Sequence, residues 1–242
     1  MIEIRGLRKS YGGREVLKGI DLKVESGTIL GVAGPNACGK TTLMKCILGL
    51  VVPGAGEIRI GGEAVDSGGH FRRRIGYMPQ APSFPDNLSL HELMAMLEDL
   101  RREKATRREE LVSYFGLSSI LDQPFGQLSG GTKQKVAAIS ALMFDAPLII
   151  CDEPTAGLDP LSRVHFKDLL RSKAREGKTI VLVSHLMSEI EQLASSLVFL
   201  AEGKVAYSGG VNELRDSVGE PDLERAVTRL FMLRAESEGG TS

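Results

Sequence analysis

A glycine-rich segment near the N-terminus has the residue types and spacing that bind phosphate groups. It fits the pattern GxxxxGK[ST] and follows an apolar run, residues 28–33. The backbone N–H groups of such a loop point inward at a phosphate, and the N-terminus of the following helix adds positive potential. Lys40 would place its charge beside the β- and γ-phosphates, and the Thr41 hydroxyl can ligate Mg²⁺. The segment consists of Gly34, Pro35, Asn36, Ala37, Cys38, Gly39, Lys40 and Thr41, and Thr42 follows it.

A pair of acidic residues supplies the second element that such a site needs. Asp152 and Glu153 end a second apolar run, where ligands bind at the carboxyl edge of a parallel sheet. Asp152 can hold Mg²⁺ directly or through water, since Mg²⁺ prefers oxygen ligands. Glu153 can polarise an attacking water. The pair favours a phosphate site over a glycine-rich turn that binds no ligand.

Two kinds of strand pattern surround these motifs. Three runs are apolar throughout, as is typical of central parallel strands covered on both faces: residues 28–33, 147–152 and 179–184. Three segments alternate apolar and polar residues, which indicates half-buried antiparallel strands: residues 2–4, 20–24 and 57–60.

Helical patterns lie between the strands. Residues 89–104 carry an apolar face, with Ser89 as the N-cap and Glu92 placed to complete a capping box. Further helices are predicted over residues 129–143, 160–176 and 221–235, the last beginning at Pro221.

Composition narrows the class of protein. The length of 242 residues fits one large α/β domain, or one domain with an inserted subdomain. The net charge of -1 argues against a broadly basic nucleic-acid-binding protein, so no nucleic acid partner is expected. The sequence has no run approaching the roughly 18 apolar residues of a membrane span and no apolar leader. Three cysteines without a CxxC pair predict reduced thiols, so we expect a protein kept inside the cell.

Five further motifs identify a family. In chain order they are Tyr11, Gln80 after Gly76-Tyr77-Met78-Pro79, Leu128-Ser129-Gly130-Gly131, Gly157-Leu158-Asp159, and His185 after an apolar run. Together with the phosphate-binding loop and the acidic pair, they resemble the motifs of the nucleotide-binding subunit of ATP-binding-cassette (ABC) transporters. The resemblance covers nearly the whole chain.

The resemblance implies a role for each motif. Glu153, His185 and Lys40 would be catalytic, and Thr41, Gln80 and Asp152 would hold Mg²⁺. Tyr11 would stack on the adenine of ATP. Three residues would contact the nucleotide of the opposite subunit: Ser129, Gly130 and Gly131. Asp159, which resembles a residue of the family's D-loop, would also bind nucleotide.

The resemblance also implies the fold. It predicts an α/β protein with a P-loop NTPase core of the ABC-ATPase type, an N-terminal antiparallel β-subdomain and an inserted α-helical subdomain. We expect one domain over residues 1–242. Its parts are a RecA-like core plus β-subdomain (1–80 and 141–210), a helical signature subdomain (81–140) and a C-terminal helical extension (211–242).

The implied function is a motor that powers a separate membrane permease from the cytoplasmic face of the membrane. ATP and Mg²⁺ would close two chains head to tail, as a homodimer or as a heterodimer with a paralogous cassette. The permease would dock on Gln80 to Asn87 and the following helix, with Phe84 and Pro85 as exposed contacts. Alternatives are a soluble non-transport ABC ATPase that serves as an assembly or regulatory factor, and a nucleotide-binding regulator without activity.

Two features point toward a subclass. The stretch 223–230 resembles the short end segment of cassettes that serve small exporter-type permeases. Segments 77–80, 84–87 and 184–189 look like those of cassettes linked to copper handling and nitrous oxide reductase maturation. The chain itself shows no metal site that would support this link.

Three residues depart from the family pattern. Ala37 lies where the family has glycine, which is tolerable only if its backbone avoids a conformation reserved for glycine. Cys38 lies near a helix N-terminus and Lys40, which predicts a lowered thiol pKa and ready alkylation that MgATP would block. Thr132 replaces a glutamine and keeps a hydroxyl, so contacts to the opposite nucleotide should weaken but survive.

Overall fold

The computed structural model describes residues 1–239, with side chains described through residue 233. Within these residues the chain forms both strands and α-helices. In order they are β1 (Ile2–Tyr11), β2 (Arg14–Val24), β3 (Ile29–Ala33), α1 (Lys40–Ile47), β4 (Ala55–Ile60), β5 (Glu63–Ala64), β6 (Ile75–Met78), α2 (Leu90–Arg101), α3 (Arg108–Tyr114), α4 (Gly130–Leu142), β7 (Leu148–Asp152), α5 (Pro160–Arg175), β8 (Thr179–Val183), α6 (Met187–Leu193), β9 (Ser196–Ala201), β10 (Lys204–Gly210), α7 (Val211–Val218) and α8 (Leu223–Gly239).

The first sheet is antiparallel and has the order β2-β1-β4-β5. Ile2 pairs with Val24 on one side and with Ile60 on the other, and all three side chains are buried. Because strand side chains alternate between faces, this register also places the next pairs in the core: Ile4 with Leu22 and with Ile58. The antiparallel strands predicted from the alternating segments are confirmed.

The second sheet has the order β10-β9-β3-β8-β7-β6. The five strands from β9 to β6 are parallel, and β10 is an antiparallel edge strand. Every residue of β3 and β8 is buried, because this sheet is covered on both faces. The three uninterrupted apolar runs are therefore central parallel strands, as predicted.

Two hydrophobic cores lie on the two faces of the parallel sheet. Helix α1 lies between the sheets, with Leu43, Met44 and Ile47 packed in the core that includes β1 and β2. The other core joins the opposite face to helices that include α2, α4 and α5. The carboxyl ends of β3, β7 and β8 are thereby fixed beside the start of α1.

Helices fill the segment between β6 and β7. Ser89 and Glu92 form the expected capping box at the start of α2, but the helix ends at Arg101, where Arg102 turns left-handed (φ 51°), earlier than predicted. Helix α4 approaches β6 so closely that a Cβ at Gly76 would lie 2.0 Å from the Ala141 carbonyl oxygen. Only glycine fits at that position of the strand.

The predicted exposure of Phe84 is wrong. Its ring is half-buried and packs edge-on against Phe125, with the ring centroids 5.3 Å apart. Such edge-to-face contacts hold aromatic pairs in place. Pro85 is exposed as expected.

Helix α8 begins at Leu223, two residues after the predicted start at Pro221. The Asp222 carboxylate accepts a hydrogen bond of 2.8 Å from the Arg225 N–H, so Asp222 caps the helix. The predicted C-terminal extension also includes residues 240–242, which lie outside the described residues. None of the helices within residues 1–239 has both the length and the apolar character that crossing a bilayer requires.

Candidate active site

A cavity of about 730 Å³ opens at the carboxyl ends of the central strands. Its volume is in the range of small-molecule sites. It brings together residues that are far apart in the sequence, from the phosphate-binding loop, from the end of β6, from the end of β7 and from the turn after β8. The predicted residues that line it are Asn36, Ala37, Gly39, Lys40, Thr41, Thr42, Gln80, Asp152, Glu153 and His185.

The loop before α1 is shaped to receive an anion. Gly34 (φ 149°) and Gly39 (φ 111°) adopt conformations that side chains disfavour, and a Cβ at Gly34 would lie 2.2 Å from the Leu200 carbonyl oxygen. Lys40 Nζ donates to the carbonyls of Gly34 (2.6 Å) and Pro35 (2.9 Å), which keeps the charge at the loop. Helix α1 has no acidic residue in its first turn and no side-chain cap. Its first N–H groups and the ammonium therefore suit a phosphate.

The backbone of Ala37 does not avoid a conformation that favours glycine, although the sequence pattern requires it to. Its backbone is left-handed (φ 62°), in the region that glycine enters freely. An L-residue there is strained by about 1–2 kcal/mol. The loop is therefore built with a local strain that the glycine usual in the family would not have.

The expectation of a readily alkylated Cys38 is not supported by its surroundings. The side chain is buried, with 5% of its surface exposed. Its Sγ does lie 3.9 Å from Lys40 Nζ, so the predicted neighbour is present. A buried thiol is poorly reached by an alkylating reagent.

Asp152 and Glu153 occupy different environments at the end of β7. Asp152 is half-buried, and its burial, aided by the Glu153 charge, raises the pKa of its carboxyl while Lys40 opposes the shift. Glu153 is left-handed (φ 49°), and its N–H donates to the Val183 carbonyl at 2.9 Å. This turn after the strand points the two carboxylates to separate positions in one cavity.

Glu153 contacts His185 directly. Glu153 Oε2 lies 2.7 Å from His185 Nδ1, although the two residues are 32 positions apart. An ionised carboxylate only accepts hydrogen bonds, so this contact places the ring proton on Nδ1. The glutamate side chain is buried and the imidazole is open to the cavity. The pair can orient and deprotonate a water held in the cavity.

Oxygen ligands for a divalent cation converge in the same cavity. The Thr41 hydroxyl, the Gln80 amide and the Asp152 carboxylate all line it. No cluster of three or more His, Cys, Asp or Glu suited to a metal occurs among the described residues. Mg²⁺ needs no such cluster, because it is usually held by one or two carboxylates together with the phosphates of its substrate.

The glycine-rich motif at α4 lies outside this cavity. Ser129 caps α4, and its Oγ accepts from the Thr132 N–H at 3.2 Å. Asp159 caps α5 and pairs with Lys135 of α4 (3.4 Å). A Cβ at Gly131 would lie 2.9 Å from the Gly157 carbonyl oxygen. The two motifs thus form one surface, and none of their residues lines the cavity.

Comparison with known proteins identifies the family. The sequence profile of the family described as "ABC transporter" matches residues 17–156, more than half of the chain. The chain belongs to the ABC transporter family. It is 35% identical over 221 residues to the Nod factor export ATP-binding protein I of Burkholderia orbicola, covering 89% of this chain and 73% of the relative. It is 33% identical over 216 residues to the lantibiotic transport ATP-binding protein SrtF of Streptococcus pyogenes, covering 88% and 93%.

Solved structures agree with this assignment. The chain resembles the ATP-binding subunit of an ABC transporter with a TM-score of 0.90 and 28% identity, over 96% of this chain and 99% of the other. A dimeric cassette, MJ0796, in a post-hydrolysis state with ADP and phosphate, matches with a TM-score of 0.75 and 26% identity, over 87% and 98%. The ABC-ATPase fold class predicted from the sequence is confirmed. This ABC transporter subunit is an ATP-binding and ATP-hydrolysing protein.

Tyr11 of this ABC ATPase does not line the cavity. The residue is 47% exposed, and Lys9 Nζ lies over its ring, 5.2 Å from the centroid. Its hairpin partner Arg14 does line the cavity. The proposed stacking on adenine therefore requires a ligand that extends along the hairpin toward Tyr11.

The sequence reasoning missed part of the cavity wall. Arg14 and Lys18 come from β2, and Glu202 comes from the turn between β9 and β10. The position of β2 directly after Tyr11 is a signal that could have suggested the first two. No sequence signal points to Glu202, because long-range contacts bring this turn to the cavity. The Lys18 N–H of β2 donates to the Gly203 carbonyl (2.8 Å), and the Gly203 N–H donates to the Cys38 carbonyl of the phosphate-binding loop (3.2 Å).

Proposed function

We propose that this chain is the MgATP-hydrolysing motor of an exporter and that it docks on the cytoplasmic face of a separate permease. The contact between Glu153 and His185, in the cavity that also contains the phosphate-binding loop, carries the proposal. The names of the relatives support export, since they are described as acting in Nod factor export and lantibiotic transport. The link to copper handling stays a prediction.

The residues suggest how hydrolysis proceeds. The N–H groups of the loop and α1 bind the phosphates, and Lys40 leaves the loop carbonyls to pair with them. Thr41, Gln80 and Asp152 would hold Mg²⁺, which when bound neutralises phosphate charge. Glu153 accepts a proton from the attacking water, and His185 keeps the glutamate oriented through Nδ1.

The surface formed by α4 and α5 supports a two-chain active state. Ser129, Gly130, Gly131 and Asp159 lie outside the cavity of their own chain, so a second chain placed head to tail would bring them to its nucleotide. A homodimer closes both sites by symmetry, and a heterodimer with a paralogous cassette would do so with two different chains.

We also propose a role for each part of the chain. Residues 1–80 and 141–210 form the nucleotide-binding core and β-subdomain, 81–140 the helical signature subdomain, and 211–242 the C-terminal extension. The loop from Gln80 to Asn87 would transmit closure to the permease. Phe84 supports the loop from inside, and the exposed residues of the loop are Gln80, Ala81, Ser83, Pro85, Asp86 and Asn87.

The catalytic assignment is tested with Glu153→Gln. This variant should bind MgATP with an affinity near that of the wild type and hydrolyse it about 100-fold more slowly or worse, because the base is removed. Turnover is measured by phosphate release and binding by equilibrium titration. Near-normal turnover in the variant would refute the role of Glu153.

The transporter role is tested with the same variant, tagged and isolated from native membranes with and without MgATP. A multi-spanning membrane protein that co-purifies would support the motor of an exporter. Recovery of a cytosolic partner, or of the cassette alone after complete membrane solubilisation, would favour the non-transport ABC ATPase.

A further inference from the structure

Two buried polar residues flank His185, and the nucleotide-binding motifs do not account for them. Ser184 precedes the histidine and is 0% exposed, and Glu189 lies in the first turn of α6 and is 2% exposed. Ser184 Oγ donates to Glu189 Oε2 at 2.7 Å. Neither residue lines the nucleotide cavity.

The Ser184 hydroxyl holds both ends of the turn that contains His185. The hydroxyl oxygen accepts a hydrogen bond of 3.1 Å from the Leu186 N–H, and the hydroxyl donates its hydrogen bond to Glu189. The hydroxyl therefore has one partner as acceptor and one as donor. The Ser184 N–H donates to the Val32 carbonyl of β3 at 3.3 Å. His185 is therefore the middle residue of a turn that is fixed to β3 on one side and to α6 on the other.

Glu189 is a poor residue for stability alone. Its Oε1 is buried without a hydrogen-bond partner among the side chains described through residue 233. Leaving one buried acceptor unsatisfied costs about 1–3 kcal/mol, and an apolar side chain of similar size would avoid that cost. The carboxylate provides what an apolar residue does not, an acceptor that fixes the direction of the Ser184 hydroxyl.

We propose that Glu189 is a positioning residue for ATP hydrolysis, acting through Ser184 to hold His185 against Glu153. This inference rests on the proposed function of Glu153 and His185. Loss of the acceptor would free the hydroxyl, loosen the 184–186 turn and lengthen the contact of 2.7 Å between His185 and Glu153. Binding of ATP by the loop would be preserved, because the described hydrogen bonds of Ser184 and Glu189 go to each other, to Leu186 and to Val32, and not to the loop.

The experiment measures kcat and KM for MgATP, together with melting temperature, on the purified full chain. Ser184→Ala and Glu189→Leu should each lower kcat about ten-fold or more, with KM changed less than about two-fold, as expected for misplaced catalytic groups. Ser184→Thr and Glu189→Gln keep the hydroxyl and the acceptor, so they should retain kcat within about three-fold. Glu191→Gln is the matched control, since Glu191 lies on the same helix and pairs with Arg215 at 2.7 Å.

A double-mutant cycle separates positioning from general structural support. In a His185→Ala background, assayed with radiolabelled ATP, adding Ser184→Ala should change kcat less than about two-fold because the residue it positions is gone. The same ten-fold loss in both backgrounds would overturn the proposal. A folded Ser184→Ala variant with wild-type kcat would also overturn the proposal. This result can be obtained even if Glu189→Leu does not fold. Failure of the wild type to hydrolyse ATP would instead refute the proposed function itself.

Discussion

At the scale of single residues, the cavity combines groups that lower the stability of the ligand-free protein. Ala37 and Glu153 adopt left-handed backbone conformations, and Asp152 is held half-buried beside a second carboxylate. Strain of this kind clusters at functional sites and persists because the surrounding structure holds it in place. The same groups that suit a cation and a phosphate therefore lower the stability of the ligand-free chain.

Asp152→Asn should stabilise the ligand-free protein while weakening its response to MgATP. The pKa of Asp152 is raised, so its contribution to stability is present at low pH, where it is protonated, and is lost as pH rises through the folded-state pKa. The substitution should raise the free energy of unfolding by roughly 1 kcal/mol at neutral pH, which raises the melting temperature by about 2–4 °C. The gain should shrink as the pH falls toward the range in which Asp152 is protonated.

Melting scans at several pH values, with and without MgATP, check this prediction. The control is Asp99→Asn, which neutralises an exposed aspartate on α2 and should leave both responses unchanged. A lower melting temperature for Asp152→Asn in ligand-free buffer at neutral pH would contradict the account of Asp152.

At the scale of elements, residues at helix ends set where the site residues lie. Ser89, Ser129 and Asp159 each cap a helix, and the last two caps are also proposed to contact nucleotide. Hydrogen bonds between the Ser162 side chain and backbone and the Asp159 carboxylate hold the pKa of Asp159 well below its usual range. Asp159 is therefore ionised at neutral pH.

Ser89→Ala tests the capping box, which has no part in the nucleotide cavity. Loss of the bond from the Glu92 N–H to Ser89 Oγ should cost about 1 kcal/mol and lower the melting temperature by about 2–4 °C. MgATP affinity should not change. Ser113→Ala, at an exposed position within α3, is the control, and an equal loss of stability in both variants would show that the cap contributes nothing.

What the sequence could predict follows from the range over which each interaction acts. Some features depend on residues that are close together in the chain, so the sequence pattern alone predicts them. These are the phosphate-binding loop, the central strands and the capping box at Ser89. The burial of Cys38, the packing of Phe84 on Phe125 and the bond from Ser184 to Glu189 depend on how separate elements approach each other. The left-handed backbone of Ala37 depends on the loop as a whole, and alanine itself gives no sign of it.

At the scale of the whole molecule, we propose that each chain supplies complementary halves of two nucleotide sites in a head-to-tail dimer. The cavity contains the loop, the acidic pair and His185, while the surface made by Ser129 and Asp159 faces elsewhere. Two contacts join helix α4 to the segment that follows Glu153. Lys135 pairs with Asp159 (3.4 Å), and the Gln134 side chain donates to the Pro154 carbonyl (3.3 Å). Closure on a second chain would thus act on the cavity through these two contacts.

The most direct test of this account is sedimentation velocity of purified Glu153→Gln, with and without MgATP. We expect a monomer without nucleotide and a dimer with MgATP, because the variant binds ATP but cannot use it to reopen. Replacing Ser129 with a bulky residue in the same background should prevent the dimer and preserve ATP binding. A Glu153→Gln chain that stays monomeric while saturated with MgATP would contradict the central claim that ATP closes two of these chains head to tail.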